Sequence, residues 1–152
     1  TFVSLFVGAS DDPSTQSRTN ALARVPEFMA SSPLVGAGFG TFLPRYYILD
    51  NQWVMLLVEI GILGTLAFAA LLGAAIWSAH RASLLFTEDS DKSLSRAVAA
   101  SVIALATAYS LFDALAFPMS AGLLFLSVGF CGALLRIARR QSASLPQVSS
   151  PA

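Results

Sequence analysis

One apolar stretch of 24 residues, 54–77, carries a single charged side chain, Glu59. A helix needs about 20 apolar residues to cross the hydrocarbon core of a bilayer, so this stretch is long enough to span a membrane. The stretches 97–115 and 117–135 reach or approach the same length. Over the whole chain 55% of the residues are hydrophobic and 12% are charged, against about 25% charged in soluble domains. The sequence predicts an all-α integral membrane protein with three transmembrane helices, 53–77, 97–115 and 117–135.

Basic residues predict the side of the membrane on which each connecting segment lies. The segments 78–96 and 136–152 each contain three Lys or Arg residues next to a predicted span, and such segments are retained in the cytoplasm. We therefore expect a multi-pass plasma membrane protein with a cytoplasmic loop at 78–96 and a cytoplasmic C-terminus. The tail 136–152 is rich in Ser and Pro towards its end and is expected to be disordered. The segment 9–52 is then extracytoplasmic.

The start of the chain and its charge balance constrain its partners. The chain opens at Thr1 without an initiator Met, a basic leader or a cleavage site, which indicates the C-terminal part of a longer protein. Nine basic and nine acidic residues cancel, so net charge gives no reason to expect nucleic acid as a partner. Small residues recur every four positions in each predicted span, a pattern of close helix packing. We expect membrane lipids and the remaining N-terminal helices as partners.

The segment 1–52 is predicted to be an extracytoplasmic loop with a short amphipathic helix at about 21–30. The apolar residues that share one face of this helix are Leu22, Val25 and Met29, and we expect the helix to lie along the membrane surface. Alternate glycines follow in GAGFG at 36–40. They permit positive φ, which fits either a phosphate-binding nest of N–H groups or a plain tight turn.

Charged and amide side chains collect at the predicted outer surface, and several have two interpretations. Arg18, Arg24 and Arg45 suit phosphate oxygens, although a long loop can be translocated regardless of its charge. Asp50 can cap the first span or accept a proton from a sugar hydroxyl. Tyr46 can anchor the chain at the interface or stack on a sugar.

The first predicted span contains the only carboxylate at membrane depth. In a continuous helix Glu59 lies about 9 Å below Trp53. A carboxylate at that depth must pair or face water, so Glu59 either fixes helix packing or serves a polar site directly. Asp113, at the turn between the second and third spans, is interpreted as a helix-end residue at the interface. Metal ligation is not expected, since no ligand cluster is visible in the sequence.

Two motifs in combination resemble the C-terminal core of the O-antigen ligase and polysaccharide polymerase family. The first is SRTNALARVPEFMASSPLVGAGFGTF at 17–42, and the second is DNQWVMLLVEIGILGTLAFAAL at 50–71. The resemblance covers about residues 10–135. The segment 112–126 reads FDALAFPMSAGLLFL and is similar to actinobacterial members in particular.

This resemblance implies part of a larger GT-C-like multispanning glycosyltransferase. Such an enzyme takes a glycan from a polyprenyl diphosphate carrier at the outer face of the plasma membrane and passes it to a glycan or lipid acceptor, without a metal or other cofactor. The expected catalytic residues are Asp50 and Arg18. The expected substrate-binding residues are Arg18, Arg24, Arg45, Tyr46, Asn51, Gln52 and Glu59. Ligases of this family usually have histidine at the position of Asp50, so the role of base transfers only if aspartate can replace it.

Two other classes of function remain open. A non-catalytic transporter or flippase-like module would use Glu59 and the arginines to line a polar pathway. Such a pathway should continue towards the cytoplasm, whereas the inner half of each predicted span is nearly all apolar. In a packing module the same polar groups would have structural roles only.

Overall fold

The computed structural model describes residues 20–41 and 49–144 of the 152-residue chain. Within these ranges the structure is mostly helical and has no β-strand, which confirms the all-α class for the described residues. The helices are α1 (Val25–Met29), α2 (Gln52–Leu85), α3 (Asp89–Ala108) and α4 (Pro118–Ser144), with a 3-10 turn at Ala114–Ala116. Residues 20–23 form a further helical turn before α1. The predicted short helix at about 21–30 corresponds to this turn and α1.

Two of these helices, α2 and α4, are long and apolar enough to cross a membrane. Only 28% of the most apolar window of each helix is buried, whereas the core helix of a soluble protein is mostly buried. Large apolar side chains are exposed along both helices, among them Leu63, Leu66, Trp77, Leu123, Phe125 and Phe130. With this exposed apolar surface, α2 and α4 are candidate membrane spans.

The helix α3 differs from the span predicted at 97–115. It begins at Asp89, so its first two turns are charged, and it ends at Ala108. Its charge-free part, 97–108, rises about 18 Å, less than the roughly 30 Å of a hydrocarbon core. The following residues leave the α-helical path, and Phe117 is extended with φ −98° and ψ 111°, as expected for a residue that precedes proline.

Helical structure also extends into segments that were expected to be non-helical. The predicted loop 78–96 is reduced to residues 86–88, because α2 continues to Leu85 and α3 begins at Asp89. The predicted third span, 117–135, lies almost entirely within α4, which continues through Ser144 into the tail that was expected to be disordered. Packing explains this extension, since Ala138 is fully buried against the end of α2.

The helix α2 is broken at Gly61, where the expected span 53–77 was continuous. Gly61 has φ 67° and ψ −172°, a conformation essentially restricted to glycine. The rings of Trp53 and Phe68 meet edge to face with centroids 5.8 Å apart, although residues 15 apart in a straight helix are separated by about 22 Å. The chain therefore folds back at Gly61, and residues 52–60 lie beside the first turns of 62–85.

The loop 33–38 fills this break with its own backbone. Two carbonyl groups before Gly61 accept hydrogen bonds from the loop, and two N–H groups after Gly61 donate to it. With the donor first, the pairs are Ala37 to Val58 (3.1 Å), Gly38 to Glu59 (2.8 Å), Ile62 to Pro33 (3.1 Å) and Leu63 to Leu34 (3.1 Å). Backbone groups left unpaired in an apolar setting would be costly. The loop thus makes the break energetically acceptable.

A small apolar core surrounds the start of α2. Its buried members are Ala21, Leu49, Met55 and Val58, and Val25, Phe28 and Val54 pack against them. The short helical segment thus packs on α2 through Ala21, Val25 and Phe28, which follow each other at helical spacing. Leu22, which was expected on the apolar face, is 47% exposed. These residues belong to one compact unit, made of the described parts of 1–69 and 108–117.

A second unit consists of 70–107 and the described part of 118–152. Within it Ala82 of α2 and Phe86, just after the end of α2, pack with Leu135 and Ala138 of α4. Residues further back on both helices line a common groove, Leu71, Ala74, Ala75 and Ser78 from α2 and Val128 and Gly132 from α4. Because these contacts advance in the same direction along both helices, α2 and α4 run parallel in this unit.

Replacing Gly61 by alanine should destabilise the protein. A Cβ at this position would overlap the backbone of Leu34, and the positive φ disfavours any other residue. We expect Gly61→Ala to lower the free energy of unfolding by about 1–3 kcal/mol, measured by thermal unfolding in detergent. Gly73→Ala is the matched control, because a Cβ there meets no atom within 4 Å and alanine favours the helix. Equal melting temperatures for the two variants would rule out the break.

Candidate functional site

The residues before and within the first turn of α2 form the polar centre of the first unit. Asp50, Asn51 and Gln52 follow one another there, and Glu59 lies two turns further along α2. The turn 108–117 belongs to the same unit. Hydrogen bonds fix the positions of these groups, and each bond shows which polar atoms are already engaged.

Asn51 caps the amino terminus of α2. Its side-chain Oδ1 accepts hydrogen bonds from the N–H groups of Trp53 (3.0 Å) and Val54 (3.2 Å). An Asn oxygen at this position satisfies amides that the helix itself leaves unpaired. The capping role considered for Asp50 thus belongs to its neighbour, and the Asn51 side-chain carbonyl is engaged in the fold.

Gln52 joins the start of α2 to the turn between α3 and α4. Its side chain is buried, with 2% of its surface exposed. The side-chain Oε1 accepts a hydrogen bond from the N–H of Leu115 (2.6 Å), and the backbone N–H donates to the carbonyl of Tyr109 (2.8 Å). Tyr109 is itself fully buried. Gln52, expected to bind substrate, therefore has a clear structural role as a link between two chain segments.

This link brings Asp113 close to Asp50. Partial burial is the main cause that raises the pKa of the Asp113 carboxyl above its ordinary value, and the nearby charge of Asp50 raises it further. Both carboxyl groups are half-buried. A raised pKa lets the Asp113 carboxyl retain its proton to a higher pH than an ordinary aspartate does, a property that suits proton transfer.

Glu59 is buried by protein, with 6% of its surface exposed. Its backbone carbonyl accepts the N–H of Gly38 at the helix break. Residues 62–85 alone rise about 36 Å, more than the roughly 30 Å of a hydrocarbon core. A membrane crossing by α2 therefore does not require residues 52–60. Glu59 was expected about 9 Å below Trp53 in one continuous helix. In the structure it lies instead at the fold-back.

The arginine and tyrosine candidates are only partly described. Arg24 is exposed and occupies the position just before α1, where its backbone carbonyl accepts the N–H groups of Glu27 (3.0 Å) and Phe28 (3.2 Å). Arg18, Arg45 and Tyr46 lie outside the described residues. Their expected roles stay predictions.

The glycine loop supports the helix break rather than an open cradle for phosphate. The N–H groups of Gly36, Ala37 and Gly38 donate to the carbonyls of Ser32, Val58 and Glu59, respectively. A Cβ at Gly36 would overlap the backbone of Glu59, so the backbones of the two segments approach too closely for a side chain. These three amides are thus engaged, which favours the structural interpretation of GAGFG over the phosphate-binding nest.

Two features of this region were missed or set aside by sequence reasoning. Gly61 is one of the small residues that recur every four positions in the first predicted span, and that spacing was interpreted as helix packing. Gly61 also belongs to the second motif, 50–71, and the glycines of GAGFG and of this motif could have suggested a contact between the two backbones. Asp113 was interpreted as a helix-end residue and left out of the site. Among the described residues, no group of three or more His, Cys, Asp or Glu side chains is placed to hold a metal ion.

No family model, curated protein or solved structure matches the chain. Its function is therefore inferred from its own residues and from the motifs quoted above.

The raised pKa of Asp113 predicts a pH-dependent loss of stability. Between the ordinary aspartate value, about 3.9, and the raised value, the folded state retains a proton that the unfolded state has released. The stability that this proton contributes is fully present below about pH 3.9, and it falls as the pH rises from 3.9 through the raised pKa of Asp113. Asp113→Asn removes that loss. Its melting temperature should exceed that of the wild type at neutral pH, and the difference should shrink towards pH 3. A difference independent of pH would contradict the raised pKa of the Asp113 carboxyl.

Proposed function

We propose that the chain is part of a membrane glycosyltransferase that resembles O-antigen ligases and polysaccharide polymerases. In this proposal the enzyme transfers or polymerises glycan from a polyprenyl diphosphate carrier at the outer face of the plasma membrane. The observation that carries the proposal is the gathering of Asp50, Asp113 and buried Glu59 in one unit, at the head of a helix long enough to cross a membrane.

The proposed reaction is attack by an acceptor hydroxyl on the anomeric carbon of the carrier-linked sugar. The new glycosidic bond forms as the bond between the anomeric carbon and the carrier phosphate breaks, and the diphosphate leaves with the bonding electrons. Asp50 accepts the proton of the acceptor hydroxyl. Arg18, with Arg24 and Arg45, stabilises the charge that develops on the diphosphate.

The remaining candidates have supporting parts in this proposal. Asp113 lies near Asp50 and provides a second carboxyl that can hold the proton after transfer. Glu59, buried at the fold-back, orients substrate-binding groups from below the site. Asn51 and Gln52 hold the helix entrance in place through the bonds described above, and Tyr46 is assigned to sugar contact.

Three membrane crossings form part of the same proposal. If α2 and α4 both cross the membrane, their parallel direction requires the chain between them to return to the first side. The helix α3 has 20 residues and rises about 30 Å, so the whole helix, with its charged first two turns at the membrane boundary, is long enough for that return. Basic residues at 78–96 and 136–152 favour the cytoplasm for the shared end of α2 and α4. The site then faces outward, where lipid-linked glycans are assembled, within a larger GT-C-like fold.

A transporter or flippase-like module is the second candidate, and the broken helix α2 is the observation that favours it. Discontinuous helices form binding sites in many transporters, because the free ends of the half-helices bind ions or substrates. In this chain four backbone groups at the break are engaged by the loop 33–38. A substrate would have to displace that loop before it could use them. Glycosyl transfer therefore accounts better than transport for the polar groups, which lie outside the break.

Complementation with the full-length protein tests the proposal. Asp50→Asn and Arg18→Ala should each abolish or reduce surface glycan at least 100-fold in a strain that lacks the native gene, since general-base and electrostatic contributions of this kind are worth about 10²–10⁴-fold in rate. Glycan is measured by gel analysis of cell-envelope extracts, and expression by immunoblotting.

Glu88→Gln is the matched control for removal of a carboxylate, because Glu88 is exposed in the other unit. This variant should retain normal surface glycan. Normal glycan in well-expressed Asp50→Asn and Arg18→Ala strains would refute the glycosyltransferase assignment of these residues. Accumulation of carrier-linked glycan on the inner face only would support the flippase alternative.

A further inference from the structure

The C-terminal third of α4 carries a groove with basic walls. The groove encloses about 440 Å³ and is lined by Gly132, Leu135, Arg136, Arg139, Arg140 and Ala143. These positions recur at helical spacing, so they form one continuous face of α4. Its first part is apolar and small, and its second part presents three guanidinium groups. The groove thus changes from apolar to cationic along its length.

The three arginines are available for an external anion. All three are exposed, and among residues 20–41 and 49–144 none of them forms an ion pair within 4 Å. The nearby positions at the end of α2 and the start of α3 include the acidic residues Glu88, Asp89 and Asp91, but Asp89 is bound to Lys92 at 2.8 Å. Three guanidinium groups on one face therefore leave a local excess of positive charge.

The position of the groove matches a membrane boundary. Residues 118–135 carry no charged side chain and rise about 27 Å, close to the thickness of a hydrocarbon core. Arg136 is the first charged residue after this stretch. If α4 crosses a membrane, the apolar part of the groove adjoins acyl chains and the arginines lie at the level of the phosphates.

We propose that this groove binds the phosphate headgroup of an anionic phospholipid. Arginine binds phosphate oxygens through bidentate, permanently charged contacts, and basic pockets at the cytoplasmic ends of membrane helices are suited to anionic headgroups. The acyl chains lie along Gly132 and Leu135, where the missing glycine side chain leaves room. The proposal requires that α4 crosses a membrane, and it does not depend on glycosyl transfer.

Lipid binding by the full-length protein in a neutral detergent tests this site. Phosphatidylglycerol, phosphatidylcholine or inorganic phosphate is added in turn, and the apparent Kd is obtained from the rise in melting temperature with ligand concentration. Phosphatidylglycerol should bind with an affinity at least tenfold higher than either of the other two. Equal stabilisation by phosphatidylcholine would refute recognition of the charge, and equal affinity for inorganic phosphate would refute a lipid as the occupant.

Paired substitutions locate the site on α4. Arg136→Gln with Arg139→Gln should raise the apparent Kd for phosphatidylglycerol at least tenfold. Arg81→Gln with Arg96→Gln removes the same charge from exposed positions that do not line the groove, and should change the Kd less than twofold. Equal losses in the two double variants would show general surface attraction and overturn the proposal. Arg139→Lys keeps the charge without the planar fork, and an intermediate Kd supports phosphate binding by arginine.

This experiment is independent of the enzymatic test. It measures no glycan, so a failure of the Asp50 and Arg18 variants in complementation leaves its interpretation unchanged. Conversely, the two groove substitutions lie in the second unit, and loss of lipid binding with normal surface glycan would leave the glycosyltransferase proposal standing.

Discussion

The exchange of backbone hydrogen bonds between the loop 33–38 and the break at Gly61 is the interaction on which the first unit depends. It pairs with another chain segment four backbone groups that a continuous helix would join in two hydrogen bonds, Ile62 to Val58 and Leu63 to Glu59. It works only because two glycines meet without side chains. A Cβ on Gly36 or Gly61 would overlap the backbone of the opposite segment. The fold-back of α2, the burial of Glu59 and the packing of the short helix on Met55 and Val58 all follow from this contact.

The fold-back also changes where the polar groups lie with respect to a membrane. Residues 62–85 are long enough to cross the bilayer alone, so 52–60 can form part of the structure above it. The Asn51 cap completes the first turn of α2, and the Gln52 link holds this turn against the segment that carries Asp113. Functional side chains in general require this kind of support from rigid neighbouring segments.

Sequence reasoning predicted the apolar helices from length and composition, because the stretches 54–77 and 117–135 leave few other structures possible. It did not predict the break, since Gly61 also fits the four-residue spacing of a packing stripe. The role of Gln52 could not be predicted, because its partner Leu115 is 63 residues away and no local pattern marks such a bond. The span predicted at 97–115 included a turn, since hydropathy alone does not register that the α-helix ends at Ala108.

The most direct test of the fold-back is a cross-link across the break. In a Cys131→Ala background, Trp53→Cys and Phe68→Cys place two thiols where the native rings lie 5.8 Å apart, and a short bifunctional thiol reagent should join them within one chain. The control pair, Leu63→Cys with Ser78→Cys, has the same separation of 15 residues within the unbroken part of α2, where the rise is about 22 Å, and should not react. Efficient cross-linking of the first pair alone would support the folded-back helix. Failure of the first pair, with both thiols shown to be reactive, would contradict it.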